Sequence, residues 1–236
     1  MKPDVSLIIV NWNTRDLLLQ CIGSIATCTR ERIVETIVVD NGSSDDSLSA
    51  VRARFPDTIQ VANQKNVGFA CANNQGIRLA SGRYVGIINS DVEVLDGCID
   101  RMVDYLDSHP TIGLIAPQTL DGEGKIRRNC RRFPTVWRQF CDDLYLSRFG
   151  GHFPIVEGRG LPVSKLHAPR QGEALSGCFL VARRTALDEV GMLDERFFIY
   201  SEDVDWCRRF RDSGWGLTYY PQSRAIHYGG KSSSKD

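Results

Sequence analysis

The 236-residue chain carries no net charge: 29 Lys and Arg stand against 29 Asp and Glu, so general attraction to nucleic acid is not supported. No apolar run approaches the roughly twenty residues that a membrane span needs. No secretory leader is evident either, because Met1-Lys2-Pro3-Asp4 leads straight into a strand pattern. None of the eight cysteines forms a CxxC pair, and most sit within apolar or helical patterns. That spacing predicts reduced thiols in the cytoplasm rather than a disulfide framework. There is no GxGxxG and no GxxxxGKS, so neither the dinucleotide fingerprint nor the P-loop is present. No internal repeat divides the chain. Its length suits one large domain, and 42% apolar residues suit a buried core.

What is present is an alternation of strand and helix patterns. VSLIIV (residues 5–10) is a continuous β-branched run, the pattern of a strand buried on both faces. Thr14 is placed to cap a helix over residues 15–27. Further strands are predicted at 33–39, 59–62 and 84–88, with helices from Asp45 and from Asn66 to Leu79 between them. This β-α-β-α-β-α-β order predicts an open, mostly parallel α/β sheet. The second half is less regular. It predicts helices over 94–108, 135–149 and 185–190 and from Asp203 to about Ser213. Strands are predicted at 112–116, 174–181, 217–220 and 225–227, with a loop over 150–170.

In such sheets ligands bind beyond the carboxyl ends of the strands. Those ends carry Asn11-Trp12-Asn13, Asp40-Asn41-Gly42 and Asn89-Ser90-Asp91, a concentration of polar groups suited to a nucleotide. Without a phosphate-binding glycine loop, diphosphate charge needs another counter-ion. A Mg²⁺ or Mn²⁺ ion held by a carboxylate such as Asp91 is the candidate. By itself Asn89-Ser90-Asp91-Val92-Glu93 is equally an ordinary strand-end turn, and His227 equally a structural histidine. Residues 197–210 (FFIYSEDVDWCRRF) set Glu202 and Asp203 at the start of a helix, beside aromatic residues. That pair reads either as a helix-start signal or as a general base in a water-poor pocket. The basic run KIRRNCRR (125–132) reads as a solvated face or as a contact for an anionic lipid phosphate or membrane, and Trp137 and Phe140 as core or as an interfacial stripe.

Seven segments in order carry a resemblance: VSLIIVNWN, VVDNGSSDDS, NVGFACANNQGI, YVGIINSDVEV, LSGCFLVARR, GMLDERFFIYSEDVDWCRRFRDSGW and HYGGKS. The chain resembles the family 2 inverting glycosyltransferases, in particular the bacterial rhamnosyltransferase-like branch. The resemblance implies a GT-A fold, a Rossmann-like, mostly parallel central sheet flanked by helices, with a smaller mixed portion on the acceptor side. It implies a single domain over 1–236, in which residues 1–93 bind the nucleotide sugar and residues 94–236 hold the acceptor and the catalytic groups.

The resemblance also implies roles. Asn11 and Asn13 would line the base and ribose pocket, and Asp40 would hold a pyrimidine. Asn66 and Asn73 would lie near nucleotide or sugar, or else serve as cap or turn residues. Asn89-Ser90-Asp91 stands at the family's DxD position, with Asn in place of the first Asp. Asp91 and His227 would be the metal ligands, and Glu93 would assist or face solvent. Gly177 would let backbone approach donor sugar or acceptor. Asp203 would be the base, raised in pKa by burial beside Phe197, Phe198, Tyr200 and Trp206, with Glu202 orienting a substrate. The implied reaction moves a sugar, L-rhamnose from dTDP-rhamnose before a UDP-hexose or UDP-HexNAc donor, to a saccharide or lipid-linked saccharide in bacterial surface polysaccharide synthesis. The implied setting is the cytoplasm, with contact at the inner membrane face. A sugar nucleotidyltransferase would want a glycine-rich loop after the first strand, where Asn11-Trp12-Asn13-Thr14 stands. A catalytically silent nucleotide-sugar-binding module would not need the Glu202-Asp203 pair.

Overall fold

In a computed structural model, residues 2–149, 157–171 and 174–229 are described. Strand β1 (Val5–Asn11) lies mid-sheet and pairs in parallel with β2 (Val34–Asp40) and β4 (Tyr84–Asn89), while β3 (Ile59–Ala62) extends β2. Helices α1 (Arg15–Cys28), α2 (Ser47–Arg54) and α3 (Phe69–Leu79) are the crossovers. Successive side chains of β1 point to opposite faces. Ile8 therefore packs under α3 with Ala72 and Ile77, whereas Leu7 and Ile9 pack under α1 with Leu18, Cys21 and Ile25. Burial on both faces explains why the first strand reads as an unbroken apolar run.

The second half completes the sheet with mixed pairing. Strands β5 (Val92–Val94), β6 (Ile112–Leu120), β10 (Phe179–Arg183) and β11 (Gly216–His227) give the order β3-β2-β1-β4-β10-β6-β11-β5, and β8 (Arg170–Gln171) pairs with β11. β10 is antiparallel to both β4 and β6, and β11 runs parallel to β6. Helix α4 (Cys98–Ser108) covers the α1 face; α6 (Arg184–Val190) and α7 (Glu202–Asp212) cover the α3 face. Trp206 and Phe210 of α7 are fully buried and meet edge to face at 5.3 Å, a pair worth about 1 kcal/mol beyond its buried area. A two-stranded sheet of β7 (Cys130–Arg131) and β9 (Ala174–Leu175) stands beside α7, with α5 (Val136–Asp143) following β7.

Several boundaries differ from the sequence expectations. Val92-Glu93-Val94 is a strand, and α4 starts only after Gly97, whose φ of 63° breaks the chain direction. Val-Glu-Val has the two-residue period of a strand, which a helix reading overlooks. Strands β6 and β11 run through Pro117 and Pro221; a register shift between Tyr220 and Arg224 absorbs the second proline. The strand expected over 174–181 is interrupted at Ser176-Gly177-Cys178. The helix expected over 135–149 ends at Asp143; Tyr145 then has φ of 56° and a 3-10 turn spans Leu146–Phe149. Some of the predicted 150–170 loop and the end of HYGGKS lie outside the described residues.

None of the eight cysteines, all among the described residues, is joined in a disulfide. Burial pushes the thiols of Cys21 and Cys207 well above the ordinary range. Among the described residues no helix is long and apolar enough to cross a membrane.

Candidate active site

The carboxyl ends of β1, β2 and β4 sit side by side, with Asn11 opposite Asp40 and Val10 opposite Asn89. Asn11 is fully buried and its amide is spent inside the protein. Its Nδ2 donates to Asp40 Oδ1 at 2.8 Å and to Ser43 Oγ at 3.1 Å, while its Oδ1 accepts from Thr14 at 2.7 Å. Asn11 thus stands behind Asp40 as a brace. Thr14 makes no helix-capping bond; its hydroxyl links Asn11 to Ser90 at 2.8 Å, tying the first strand end to the third. Asp40 also accepts from the Ser43 hydroxyl at 2.6 Å and the Ser43 N–H at 2.9 Å, which fixes its carboxylate in one orientation. Asn13 takes a left-handed φ of 54°, and its Oδ1 accepts from the Ser44 N–H at 2.8 Å.

Asn66 works through its neighbours. Its Oδ1 accepts from Asn41 Nδ2 at 3.1 Å and from the Gly68 N–H at 2.9 Å, and Asn41 in turn accepts from Asn63 at 3.0 Å. This network holds residues 63–68 against the end of β2. Asn73 is buried, donates to the Phe69 carbonyl at 2.9 Å, and leaves its Oδ1 without a partner.

Asp91 is 1% exposed, and neither of its carboxylate oxygens has a hydrogen-bond partner. An ionised carboxylate buried in that way is costly unless something else compensates it. His227 Nε2 lies 3.3 Å from Asp91 Oδ1, within ion-pair range but outside hydrogen-bond geometry. Burial alone would lower the His227 pKa, but the Asp91 carboxylate and the Cys178 thiol outweigh it and raise it to about 10, so the ring carries a proton at neutral pH that a metal ion must displace to bind there. The orphaned oxygens beside an imidazole fit a divalent cation, since hard oxygen and nitrogen donors suit Mg²⁺ or Mn²⁺. Among the described residues no cluster of three or more His, Cys, Asp or Glu is arranged to hold a metal. The remaining ligands would therefore come from substrate oxygens and water, the usual situation for a small divalent cation on a diphosphate. Glu93 does not assist Asp91: its Oε2 accepts from Tyr228 at 2.6 Å and Gln20 at 2.7 Å, joining β5 to the chain end and to α1.

The interruption between β9 and β10 joins this corner to the second carboxylate pair. The Cys178 carbonyl accepts from the Asn89 N–H at 2.9 Å, and the Gly177 N–H donates to Asp203 Oδ2 at 2.8 Å. Asp203 Oδ1 accepts from the Val204 N–H at 2.8 Å. A Cβ on residue 177 would stand 3.1 Å from the Asp203 Cβ, so the glycine permits the close approach of backbone to this carboxylate. Gly177, expected to let backbone approach donor sugar or acceptor, lies directly against Asp203.

Glu202 is 6% exposed, its Oε2 has no partner, and burial, with Asp203 adjacent, pushes its carboxyl up to about 7. The carboxyl raised by burial is Glu202; its neighbour Asp203 is half-buried. The aromatic run does not close over Asp203 either: Phe198 and Tyr200 are exposed, and Trp206 faces the core, donating to the Gly191 carbonyl at 2.9 Å. Tyr200 and Ser201 both have left-handed φ, 69° and 73°, immediately before α7. Such strain at consecutive non-glycine residues persists only where surroundings impose it. The segment that leads into Tyr200 and Ser201 is held by α3. Asn74 donates to the Leu193 carbonyl at 2.8 Å and to Glu195 at 2.9 Å, and accepts from the Leu193 N–H at 3.1 Å. Phe69 N–H bonds the Phe198 carbonyl at 2.7 Å, beside Gly68, which has φ of 89° and where an added Cβ would stand 2.7 Å from that same carbonyl oxygen.

Sequence reasoning gave no separate role to Ser43, Asn74 or Cys178, and named Asn41 only as part of a strand end. Ser43 and Asn41 lay inside quoted motifs as turn residues. Nothing local marks Asn74, whose partners are over a hundred residues away.

The model of the family described as glycosyl transferase family 2 matches residues 6–158. The chain is 27% identical, over 100% of its length and 80% of the relative's, to an N-acetylglucosaminyl-diphospho-decaprenol L-rhamnosyltransferase of Mycobacterium tuberculosis. It is 24% identical, over 96% of its length and 68% of the relative's, to a low-salt glycan biosynthesis hexosyltransferase of Haloferax volcanii. Among solved structures, a mannosyltransferase from Pyrobaculum calidifontis in complex with GDP-Man and Mn²⁺ superposes with a TM-score of 0.67 at 20% identity, covering 99% of this chain and 59% of that one. GalNAc-T7 with UDP, GalNAc and Mn²⁺ gives 0.72 at 17% identity, over 96% of this chain and 44% of that one.

Proposed function

The chain belongs to glycosyl transferase family 2 and is a glycosyltransferase of GT-A fold; from that premise we propose that it is an inverting enzyme that moves L-rhamnose from dTDP-rhamnose to a lipid-linked saccharide. The observation that carries the reading is the continuous polar line from Asp91 and His227 through Cys178 and Gly177 to Asp203. In this reading the diphosphate corner meets Cys178 and the proton acceptor meets its neighbour Gly177. The transferred sugar and the lipid-linked acceptor are supported by the mycobacterial relative, an L-rhamnosyltransferase named for N-acetylglucosaminyl-diphospho-decaprenol. The setting proposed is surface polysaccharide assembly in the cytoplasm of a bacterium.

In this reading Asp40, oriented by Asn11 and Ser43, accepts from the pyrimidine ring N–H of the donor, with Asn13 and the residue 63–68 loop around the nucleotide. Asp91 and, once deprotonated, His227 would hold a divalent cation, whose contribution when bound is to offset the charge that grows on the departing diphosphate. The acceptor hydroxyl attacks the anomeric carbon from the face opposite the nucleotide. The new glycosidic bond forms as the bond to the diphosphate oxygen breaks, and the hydroxyl proton passes to Asp203. The Gly177 and Val204 N–H groups fix both oxygens of that carboxylate, each of which keeps a second lone pair for the proton. A single displacement inverts the anomeric centre and requires no covalent nucleophile, which agrees with the absence of a role for the buried thiols. Glu202, with a pKa of about 7, is partly protonated at neutral pH and donates a hydrogen bond to a sugar hydroxyl.

The test is a thermal-shift screen of dTDP-rhamnose, UDP-glucose and UDP-N-acetylglucosamine, each with Mn²⁺ or EDTA, because a ligand of the native state raises apparent stability. The expected result is a Mn²⁺-dependent shift, largest with dTDP-rhamnose and lost in Asp91→Ala and His227→Ala. A larger shift with a UDP-sugar overturns the donor; a shift unchanged by EDTA overturns the metal site.

A further inference from the structure

Helix α5 is built unlike the other helices. Of its eight residues Cys141 is buried, while Val136 is 90%, Trp137 50% and Phe140 47% exposed. Leu144 and Tyr145 continue the apolar surface beyond the helix end, at 54% and 65%. The Trp137 and Phe140 rings stack at 5.5 Å, making one continuous aromatic face. Contiguous exposed apolar surface of this kind marks an interaction site.

The charge around this face is one-sided. Residues 125–149 hold seven Lys and Arg against two Asp, in a chain that is neutral as a whole. Some of these charges are already matched: Arg132 pairs with Glu157 at 2.6 Å, Lys125 with Glu123 at 2.6 Å, and Asp142 with Arg159 at 3.2 Å. Arg128, Arg131 and Arg148 remain exposed, with no acidic partner among the described residues. Arg148 lies 4.8 Å over the Tyr145 ring, placing its cation at the apolar face itself.

We propose that α5 and the basic residues beside it dock the enzyme on an anionic phospholipid bilayer, with the helix lying in the headgroup plane. Aromatic and aliphatic side chains beside unpaired arginines are the composition of an interfacial helix, and the cations complement acidic headgroups. Two turns of helix are far too short to span the membrane. A second copy of the chain fits less well, because a symmetric contact would set the same arginines against each other. The placement deepens the lipid-linked acceptor reading and rests on it only for its purpose. β7 directly precedes α5 and pairs with β9, with Cys130 opposite Leu175, and β9 leads into the Gly177 that holds Asp203. A membrane-seated α5 would therefore bring the proposed base toward the surface that carries the acceptor.

The experiment is vesicle flotation of the full chain, without sugar substrates, on neutral phosphatidylcholine and on mixtures with phosphatidylglycerol. Light scattering of the free protein and donor hydrolysis are measured in parallel. Binding to the anionic vesicles is expected to fall by about tenfold or more in the Val136→Ser/Trp137→Ser/Phe140→Ser variant and in Arg128→Glu/Arg131→Glu, and to weaken in high salt. These side chains are exposed, so melting temperature and donor hydrolysis should stay as in the wild type. Equal binding to neutral vesicles, or binding unaffected by either variant, overturns the proposal. So does a wild-type dimer that the serine variant converts to monomer, which would make the face a contact between copies. Because flotation uses no donor or acceptor, it stands even if the proposed transfer reaction fails.

Discussion

Glu202 gives the sharpest consequence of the site's electrostatics. Its carboxyl is pushed from an ordinary 4.5 to about 7, chiefly by burial and further by Asp203. Between those two pH values the unfolded chain releases a proton that the folded chain keeps. Folding stability contributed by this group is therefore fully present below about pH 4.5 and is lost as pH rises to about 7. The shift corresponds to roughly 3 kcal/mol, taking about 1.4 kcal/mol for each pH unit. Glu202→Gln removes the ionisation while keeping the shape. Denaturant unfolding of both proteins without ligand at pH 5 and pH 8 should show the wild type losing about 2 to 3 kcal/mol more than the variant on going to the higher pH. Parallel losses in the two proteins would refute the claim that this carboxyl is buried and uncompensated.

Two further outcomes follow from the supports around the catalytic carboxylates. Asn74→Ala removes three hydrogen bonds that anchor residues 193–195; a loss of about 2 to 3 kcal/mol is expected by chemical denaturation, and a loss under about 0.5 would mean the strap is held elsewhere. Gly177→Ala puts a methyl group 3.1 Å from the Asp203 Cβ. The carboxylate must shift by a few tenths of an ångström, so kcat should drop about tenfold with donor affinity unchanged, and unchanged kcat would separate Gly177 from the chemistry.

The nucleotide half of the fold was legible because Leu7–Ile9 of β1, Ile37–Val39 of β2 and Tyr84–Ile88 of β4 are buried on both faces, which leaves few polar residues in those strands. The second half was less so. β10 runs antiparallel between β4 and β6, and β11 continues through Pro221 by a register shift; both depend on partners far away in the chain. At the site, residue types were legible and division of labour was not. Asn11 and Asp40 look alike as strand-end polar residues, yet one is fully buried behind the other. Glu202 and Asp203 are adjacent, but the left-handed turn at Tyr200 and Ser201 sends the first into the interior and the second to the Gly177 N–H. No local pattern announces a left-handed tyrosine and serine.

The central claim is that Asp203 takes the proton of the attacking hydroxyl. Its most direct test is single-turnover transfer by Asp203→Asn, with donor affinity measured on the same preparation. The account predicts donor binding close to wild type and transfer slowed by about 10²- to 10⁴-fold. Transfer within about tenfold of wild type, with donor binding intact, would contradict it.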